Sequence, residues 1–421
     1  MLNVFPTNKR TAAEEALFDA HEAFDGKNSA SETAIVALKK HGLPSRRVES
    51  WHYTDLRALL KDVPALAVRP DGNKAAKDAA AYDAIVDTIR LPIFDGHAFA
   101  DLCEKTPDCV SIDVNQNALE AEARQDNAIG LMTQAFAGDC VNVSVDAGAT
   151  IDKPIGLAHV AGGASALAVN QQSVVIGAGA KATVVERYVQ NGNEAYQNSA
   201  VTNLTVGDNA NATYVIVQQM GEAATHLGQI NITLGTDSNL MLFVLNAGGK
   251  LTRQEVNVDV AGEGSDFQLR GVNLIGDSQH IDVTMDLRHN VPNTTSEEII
   301  RNVVTGKGKG VFQGRIAVAQ IAQKTDAKMA CNTLLLSDDG DFSTKPELEI
   351  FADDVLCGHG ATFTDLEPSY LFYLMSRGIR EKDARALLIK GFVDEIVEDL
   401  NNEALESAFV GVIDGWLDAN G

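Results

Sequence analysis

Basic residues, cysteines and long apolar runs are all scarce in this chain of 421 residues. It has 34 lysines and arginines against 58 aspartates and glutamates, which gives a formal charge of −24. That balance argues against a nucleic-acid partner, because binding to a phosphate backbone needs a basic surface. No stretch approaches the ~20 apolar residues that a membrane-spanning helix needs, so we also expect no membrane partner.

The cysteines number five and are widely scattered, at positions 103, 109, 140, 331 and 357. This pattern is typical of free thiols in a reducing cytosol rather than of a disulfide framework. Residues 1–20 contain no continuous apolar core and no cleavage pattern, so we predict no signal peptide. The composition therefore indicates a soluble, cytoplasmic, globular protein that is long enough for two or three domains.

Residues 1–138 are predicted to form a mainly helical N-terminal domain. Apolar residues recur at helical spacing over 11–24 and over 31–40, and Gly42 ends the second of these stretches. A further helix is expected between Ala118 and Ala137. The segment 66–93 has little periodicity, and we expect a linker there with one or two short elements.

From about residue 140 the sequence becomes a series of short β-branched runs separated by Gly, Asn and Asp. Turn positions recur at Asp146, Gly177, Gly207, Gly235 and Ala261, at intervals of 31, 30, 28 and 26 residues. A repeat of this length with no helix between its strands favours stacked coils, because one unit cannot bury its apolar face alone. We therefore predict a parallel β-helix, a solenoid, over residues 139–363, with a β-sandwich as the alternative.

Residues 364–421 are predicted to close the chain as a helical domain. The residues Thr364 to Glu367 have the form of a capping box that would begin a helix. The stretches 380–400 and 402–419 follow as two amphipathic helices. Such helices can cap the last coil of a solenoid, dock another protein, or do both.

The segment 344–362, TKPELEIFADDVLCGHGAT, contains Cys357 and His359 at the end of a predicted strand. Residues two apart in a strand point to the same face, so both side chains can meet one partner. Thiol and imidazole groups bind zinc, iron and iron–sulfur clusters. Two ligands do not complete a site, so the others must come from elsewhere in the chain or from another subunit. The alternative is a structural role, with His359 bonded to backbone groups and Cys357 packed in the core.

The segment 344–362, with LFYLMSRGI (371–379) and ARALLIKGF (384–392), resembles the C-terminal signature of the SufB/SufD family. LRHNVPNTTS (287–296), GKGKGVFQGRIAVAQIAQKTDA (306–327) and NTLLLSD (332–338) match the core of the family, and ESWHYTDL (49–56) is similar to its N-terminal phrase. The glycine after His359 is typical of the SufD branch, where SufB proteins tend to have glutamate. Cys331 departs from the polar residue that the family more often has, and we interpret it as structural.

The resemblance implies a right-handed β-helix between helical ends, in a non-catalytic scaffold subunit of the SUF iron–sulfur cluster assembly complex. Such a subunit pairs with SufB through the β-helix and with the SufC ATPase through the C-terminal helices. Tyr370, Arg377 and Phe392 are our candidate contacts on those helices. The resemblance also implies a transient iron–sulfur cluster at the interface with SufB, contacted by His359 and with Cys357 as a second candidate. It implies no cofactor bound tightly to the isolated chain.

Two alternatives and one cofactor question stay open at this point. A metal-dependent hydrolase on a β-solenoid would also use His, Cys and Asp, although Asp353 and Asp354 point to opposite faces of a strand and give no paired acid and base. The isolated chain can pair with a second copy through an exposed solenoid edge. A reduced flavin, found with some complexes of the family, has no support in these residues.

Overall fold

The computed structural model describes residues 9–117 and 119–420. Its centre is a parallel β-solenoid of about eight turns built from a ten-stranded and a nine-stranded sheet, with helices towards both ends of the chain. This confirms the predicted solenoid and rules out the sandwich. The first eight residues of the predicted N-terminal domain, Ala118 at the start of the helix expected over 118–137, and Gly421 lie outside the described residues.

From β4 (Cys140–Val145) onwards the strands alternate between the two sheets along the chain, so that each coil contributes one strand to each sheet. The ten-stranded sheet contains, in spatial order, β2 (His97–Ala98), β1 (Ile89–Phe94), β5 (Ile155–Ala161), β7 (Lys181–Gln190), β9 (Asn211–Gln219), β11 (Asn239–Asn246), β13 (Asp266–Ile275), β15 (Thr295–Val304), β17 (Asp326–Leu335) and β19 (Leu356–Thr364). The nine-stranded sheet contains β3 (Val110–Asn115), β4 (Cys140–Val145), β6 (Ala166–Ile176), β8 (Tyr196–Val206), β10 (Thr225–Leu234), β12 (Leu251–Val260), β14 (His280–His289), β16 (Lys309–Val318) and β18 (Asp341–Ile350). Strands β1 to β3 therefore extend the sheets from within the segment predicted to be mainly helical.

The intervals between the predicted turn residues equal the residue offsets between paired strands of the nine-stranded sheet. Val145 pairs with Ile176, Ile176 with Val206, Val206 with Leu234 and Leu234 with Val260. These steps are the predicted 31, 30, 28 and 26 residues. The paired strands stay in residue-for-residue register, so the drift of the period is taken up in the turns and connections between them.

The solenoid interior is apolar along most of its length, but it also contains a ladder of amides that crosses the coils. Asn246 Nδ2 donates to Asn273 Oδ1 at 2.8 Å, and Asn273 Nδ2 donates to Asn302 Oδ1 at 2.8 Å. Asn302 Nδ2 then donates to Thr333 Oγ1 at 3.1 Å. A slip of one residue would leave these buried groups unpaired, so the ladder helps to fix the register.

The N-terminal helices are α1 (Ala12–Ala23), α2 (Ser29–His41), α3 (Leu56–Leu59), α4 (Gly72–Ala81) and α5 (Ala128–Ala135). They cover the outer face of the nine-stranded sheet, except for α4, which packs on Phe94 and Val160 of the ten-stranded sheet. Apolar residues of α1, α2 and α5 form one cluster with outward-facing residues of the sheet, among them Val169, Leu227 and Leu251. The helix expected over 118–137 is present only over Ala128–Ala135, and residues 119–127 before it are not helical.

The C-terminal helices are α6 (Pro368–Ser376), α7 (Glu381–Val397) and α8 (Glu403–Asn420). Helices α7 and α8 pack on the outer face of the ten-stranded sheet, where the Phe243 and Phe409 rings stack at 4.8 Å. The predicted capping box at Thr364 is wrong. Thr364 is the last residue of β19, and α6 begins at Pro368, whose fixed φ suits the first helical position without a side-chain cap.

Two further expectations can be compared with the structure. All five cysteines are free thiols, as predicted. The helices within residues 9–117 and 119–420 include none with the length and hydropathy of a membrane span.

Candidate metal-binding site at the open end of the solenoid

The last coil of the solenoid, formed by β18, β19 and the connecting residues 351–355, is uncovered, and we call it the open end. Within the described residues, β18 pairs only with β16 and β19 only with β17. Large apolar side chains are exposed here, with Phe351 66% and Leu356 70% accessible. An edge with unpaired backbone groups and exposed apolar side chains is a surface on which another chain can add strands.

Cys357 and His359 continue the inward-facing row of the solenoid. They pair with Ala327 and Met329 of β17, which are both buried in the solenoid core. Because aligned residues of stacked strands share a face, the Cys357 and His359 side chains point over the interior of the last coil. No described coil follows, so His359 is exposed, whereas Cys357 is half-buried against the core.

Partial burial changes the pKa of the Cys357 thiol. Desolvation raises the pKa of this thiol, while a hydrogen bond with the Ala327 backbone lowers it. A thiol must lose its proton before it binds a metal. The partial burial of Cys357, which raises the pKa of the thiol, therefore makes metal binding there less favourable.

Asp353 and Asp354, the two acids before Cys357 and His359, do not form a metal site with them. Asp354 forms an ion pair with Lys324, and its backbone N–H donates to Gln323 Oε1 at 2.9 Å. Asp353 is exposed in the same turn. Among the residues described, no group of three or more His, Cys, Asp or Glu side chains is arranged to hold a metal.

The donor types at the open end suit an iron–sulfur cluster as cargo, because thiolate and imidazole are the ligands that such clusters take. The number of donors does not suffice, since a cluster takes about four protein ligands. This chain therefore offers half of a site, on a surface that is open to a partner.

The candidate contacts on the C-terminal helices differ in exposure. None of the residues of α6 is buried, and Tyr370 and Phe372 are among its exposed aromatic side chains. Arg377 follows α6, and its guanidinium lies 5.1 Å from the centre of the Tyr373 ring. Phe392 is half-buried on α7, with the Arg301 guanidinium 4.8 Å from its ring centre. Tyr370 and Arg377 are thus accessible, and Phe392 contributes mainly to packing on the solenoid.

Sequence reasoning passed over two features of this region. The absence of any fully buried residue on α6 was not expected, although the aromatic run LFYLM gave a signal for it. Glu298 on β15 lies inside the solenoid beneath the open end, and the only signal was an acid at an inward position of a strand with alternating burial.

Comparison with known proteins gives a consistent result. The family described as SUF system FeS cluster assembly, SufBD core domain, matches residues 159–392. The iron–sulfur cluster assembly protein SufD of Escherichia coli is 30% identical over 88% of this chain and 88% of its own length. The SufBD family protein slr0076 of Synechocystis is 28% identical over 90% of each chain. The chloroplastic protein ABCI7 of Arabidopsis thaliana is 29% identical over 67% of this chain and 61% of its own.

Proposed function

The chain belongs to the SufBD family of the SUF iron–sulfur cluster assembly system, and from this we propose that it is a scaffold subunit that shares a transient cluster with a partner. The partner is SufB, and the shared cluster is contacted by His359, with Cys357 as the second donor. The observation that carries this proposal is the position of both donors on the inward row of an uncovered last coil.

Pairing through the open end has a direct physical basis. The edge strands β18 and β19 present backbone N–H and C=O groups that a second solenoid can use, as strands do in β-augmentation. Exposed apolar side chains such as Phe351 and Leu356 would be removed from water at the same time. A partner with the same fold would bring its own last coil, and its donors would complete the ligand set.

The exposed helix α6 supports a second contact, with the SufC ATPase. Aromatic side chains and arginine are the residue types that dominate protein–protein interfaces. Tyr370 and Phe372 on α6, with Arg377 directly after it, combine both types on a short segment in which no residue is fully buried. The ATP chemistry would then belong to the partner.

The test of the cluster site is purification of this chain together with SufB and SufC, followed by anaerobic reconstitution and visible absorption. We expect His359→Ala to assemble into the complex as the wild type does and to retain much less cluster. His41→Ala is the matched control and should retain the wild-type amount, since His41 ends α2, which packs on the nine-stranded sheet away from β19. Equal cluster content in the wild type and in His359→Ala would contradict the assignment.

The two interfaces can be separated with two exposed phenylalanines. Phe372→Ala on α6 should weaken binding of SufC by at least roughly tenfold and leave pairing with SufB unchanged. Phe351→Ala at the open end should weaken pairing with SufB and leave binding of SufC unchanged. Binding of each partner is measured separately by isothermal titration calorimetry. If either variant weakened both interactions equally, the proposed division between open end and α6 would be wrong.

A further inference from the structure

The two edge strands of the open end differ in how well they are protected against pairing with another chain. Strand β18 has a proline and four charged residues among its ten positions, namely Asp341, Lys345, Pro346, Glu347 and Glu349. Strand β19, with the sequence LCGHGATFT, has no proline and no acidic residue, lysine or arginine. Proline and charged side chains are the usual means by which edge strands avoid unwanted pairing. Only β18 carries such protection.

Pro346 removes a backbone donor from the free edge of β18, which is the side that faces away from β16. The Asp341 and Phe351 N–H groups donate to carbonyl groups of the neighbouring coil at 2.9 and 3.0 Å. Because backbone groups alternate in direction along a strand, the even-numbered residues of β18 direct theirs to the free edge, and position 346 is one of them. A strand added there would meet a gap in the middle of the ladder and would keep one carbonyl group without a donor.

The free edge of β19, which faces away from β17, has no such gap. The Leu356 N–H donates to the Thr325 carbonyl of the preceding coil at 2.9 Å. By the same alternation, the N–H and C=O groups of the odd-numbered residues 357–363 point to the free edge, and none of these residues is a proline. A Cβ atom added at Gly358 or Gly360 would meet nothing within 4 Å, so no described residue covers the outer face of the strand at these positions. Strand β19 is therefore ready to accept another strand along its length.

The orientation of an added strand follows from the way in which two solenoids meet. When two last coils face each other, their edge strands run in opposite directions, because the chain circulates in the same sense around each axis. A strand added to β19 is then antiparallel to it. Both backbone groups of His359 point to the free edge, so the residue opposite forms a hydrogen-bonded pair with it, with the two Cα atoms about 5.5 Å apart. The side chains of such a pair lie on the same face, which here is the inward face that carries Cys357 and His359.

We propose that the partner solenoid adds its edge strand to β19 and not to β18, so that the ten-stranded sheet continues across the interface. The inference rests on the proposed function, because it assigns the strand through which the same partner pairs. The remaining ligands of the shared cluster then come from partner residues opposite Cys357 and His359 on the inward face. Strand β18 stays outside the backbone ladder, because Pro346 interrupts its free edge.

The experiment is amide hydrogen exchange, resolved to single residues, on the full chain alone and in complex with SufB. The chain alone is diluted until it sediments as a single copy. We expect the N–H groups of His359 and Ala361 to exchange at least roughly a hundredfold more slowly in the complex, because a partner strand accepts their hydrogen bonds. The N–H groups of Thr344 and Leu348, at the free edge of β18, should exchange as they do in the chain alone. Protection of these β18 groups, alone or together with β19, would overturn the proposal.

Proline substitutions test the same point through affinity. Ala361→Pro removes a donor from the free edge of β19 and should weaken binding of SufB by at least roughly tenfold. Thr344→Pro is the matched control, since it removes a donor from the free edge of β18, two residues before the proline already there. It should change the affinity by less than about twofold, as measured by isothermal titration calorimetry. Unchanged binding by a folded Ala361→Pro chain, or an equal loss for both variants, would overturn the proposal.

Failure of the choice of strand can be distinguished from failure of the proposed function. The exchange measurement uses the unaltered chain, so it decides the question even if a proline variant does not fold. Binding of SufB with protection confined to β18 would contradict the choice of strand and would leave the proposed pairing through the open end intact. Absence of SufB binding by the wild type would contradict the proposed pairing itself, and the choice of strand with it.

Discussion

The Arg253 guanidinium lies 3.8 Å from the centre of the Trp51 ring, and both side chains are fully buried. Arg253 also pairs with Asp282 and donates from Nη2 to the Ser50 carbonyl at 2.8 Å. The Trp51 indole N–H donates to the Asp126 carbonyl at 2.8 Å. The segment 49–56 is therefore anchored to the nine-stranded sheet by a stacked and charge-compensated arginine, and its family-typical sequence has a structural role here.

We expect Trp51→Ala to destabilise the protein by roughly 3–5 kcal/mol, because it opens a cavity and leaves the buried Arg253 without its stacking partner. The measurement is the free energy of unfolding in urea. Tyr53→Ala is the control, since Tyr53 is exposed two residues away and should change the value by less than about 0.5 kcal/mol. Similar losses for the two variants would show that the anchor is not centred on Trp51.

The solenoid could be predicted from the sequence because its period is set by local turn chemistry. Residues such as Gly177, Gly207 and Gly235 mark each turn, and the strands between them have nearly constant length. The Cys357 and His359 pair could be placed on one face for the same reason, since alternation along a strand is a local property.

The features that escaped prediction depend on contacts between residues far apart in the chain. Trp51 meets Arg253 across about two hundred residues, and no local pattern in ESWHYTDL indicates a buried arginine as its partner. Glu298 is a charged residue in an otherwise ordinary strand, and only the register with Met329 and His359 shows where it lies. The capping box failed because β19 pairs as far as Thr364, so tertiary pairing prevailed over a local helix signal.

The stacked turns give a sharp prediction about glycine. A Cβ atom at Gly262 would lie 2.0 Å from the carbonyl carbon of Gly235 and from the Thr236 nitrogen, both backbone atoms of the preceding coil. We expect Gly262→Ala to destabilise the protein by more than about 2 kcal/mol, because the two turns must separate. Urea unfolding measures the change.

Gly411 on α8 provides the matched control for this substitution. A Cβ atom there would meet nothing within 4 Å, and the residue is helical. Gly411→Ala should therefore raise the free energy of unfolding by about 0.5–1 kcal/mol, since alanine is the better helix former. If both alanine substitutions changed the free energy of unfolding in the same direction, close packing of the coils would not be the reason for glycine at position 262.

The buried histidines predict how stability depends on pH. His289 is fully buried between Thr294 Oγ1 at 2.8 Å and Ser296 Oγ at 3.2 Å, and burial lowers its pKa to about 4. An unfolded chain takes up this proton near its ordinary pKa of about 6.5, so the unfolded state binds more protons between those two values. Stability contributed by neutral His289 is therefore complete above about pH 6.5 and is lost as the pH falls towards about 4.

The loss for this one group is on the order of 3 kcal/mol over that window. His289→Gln cannot take up the proton, so it should be less stable than the wild type near neutral pH and should depend less steeply on pH below about 6.5. Urea unfolding at several pH values between about 4 and 7 measures both slopes. Parallel slopes for the wild type and the variant would mean that His289 is not the group that takes up a proton when the chain unfolds, and the acid sensitivity would then come from the other buried histidines, such as His226, whose pKa burial lowers to about 3.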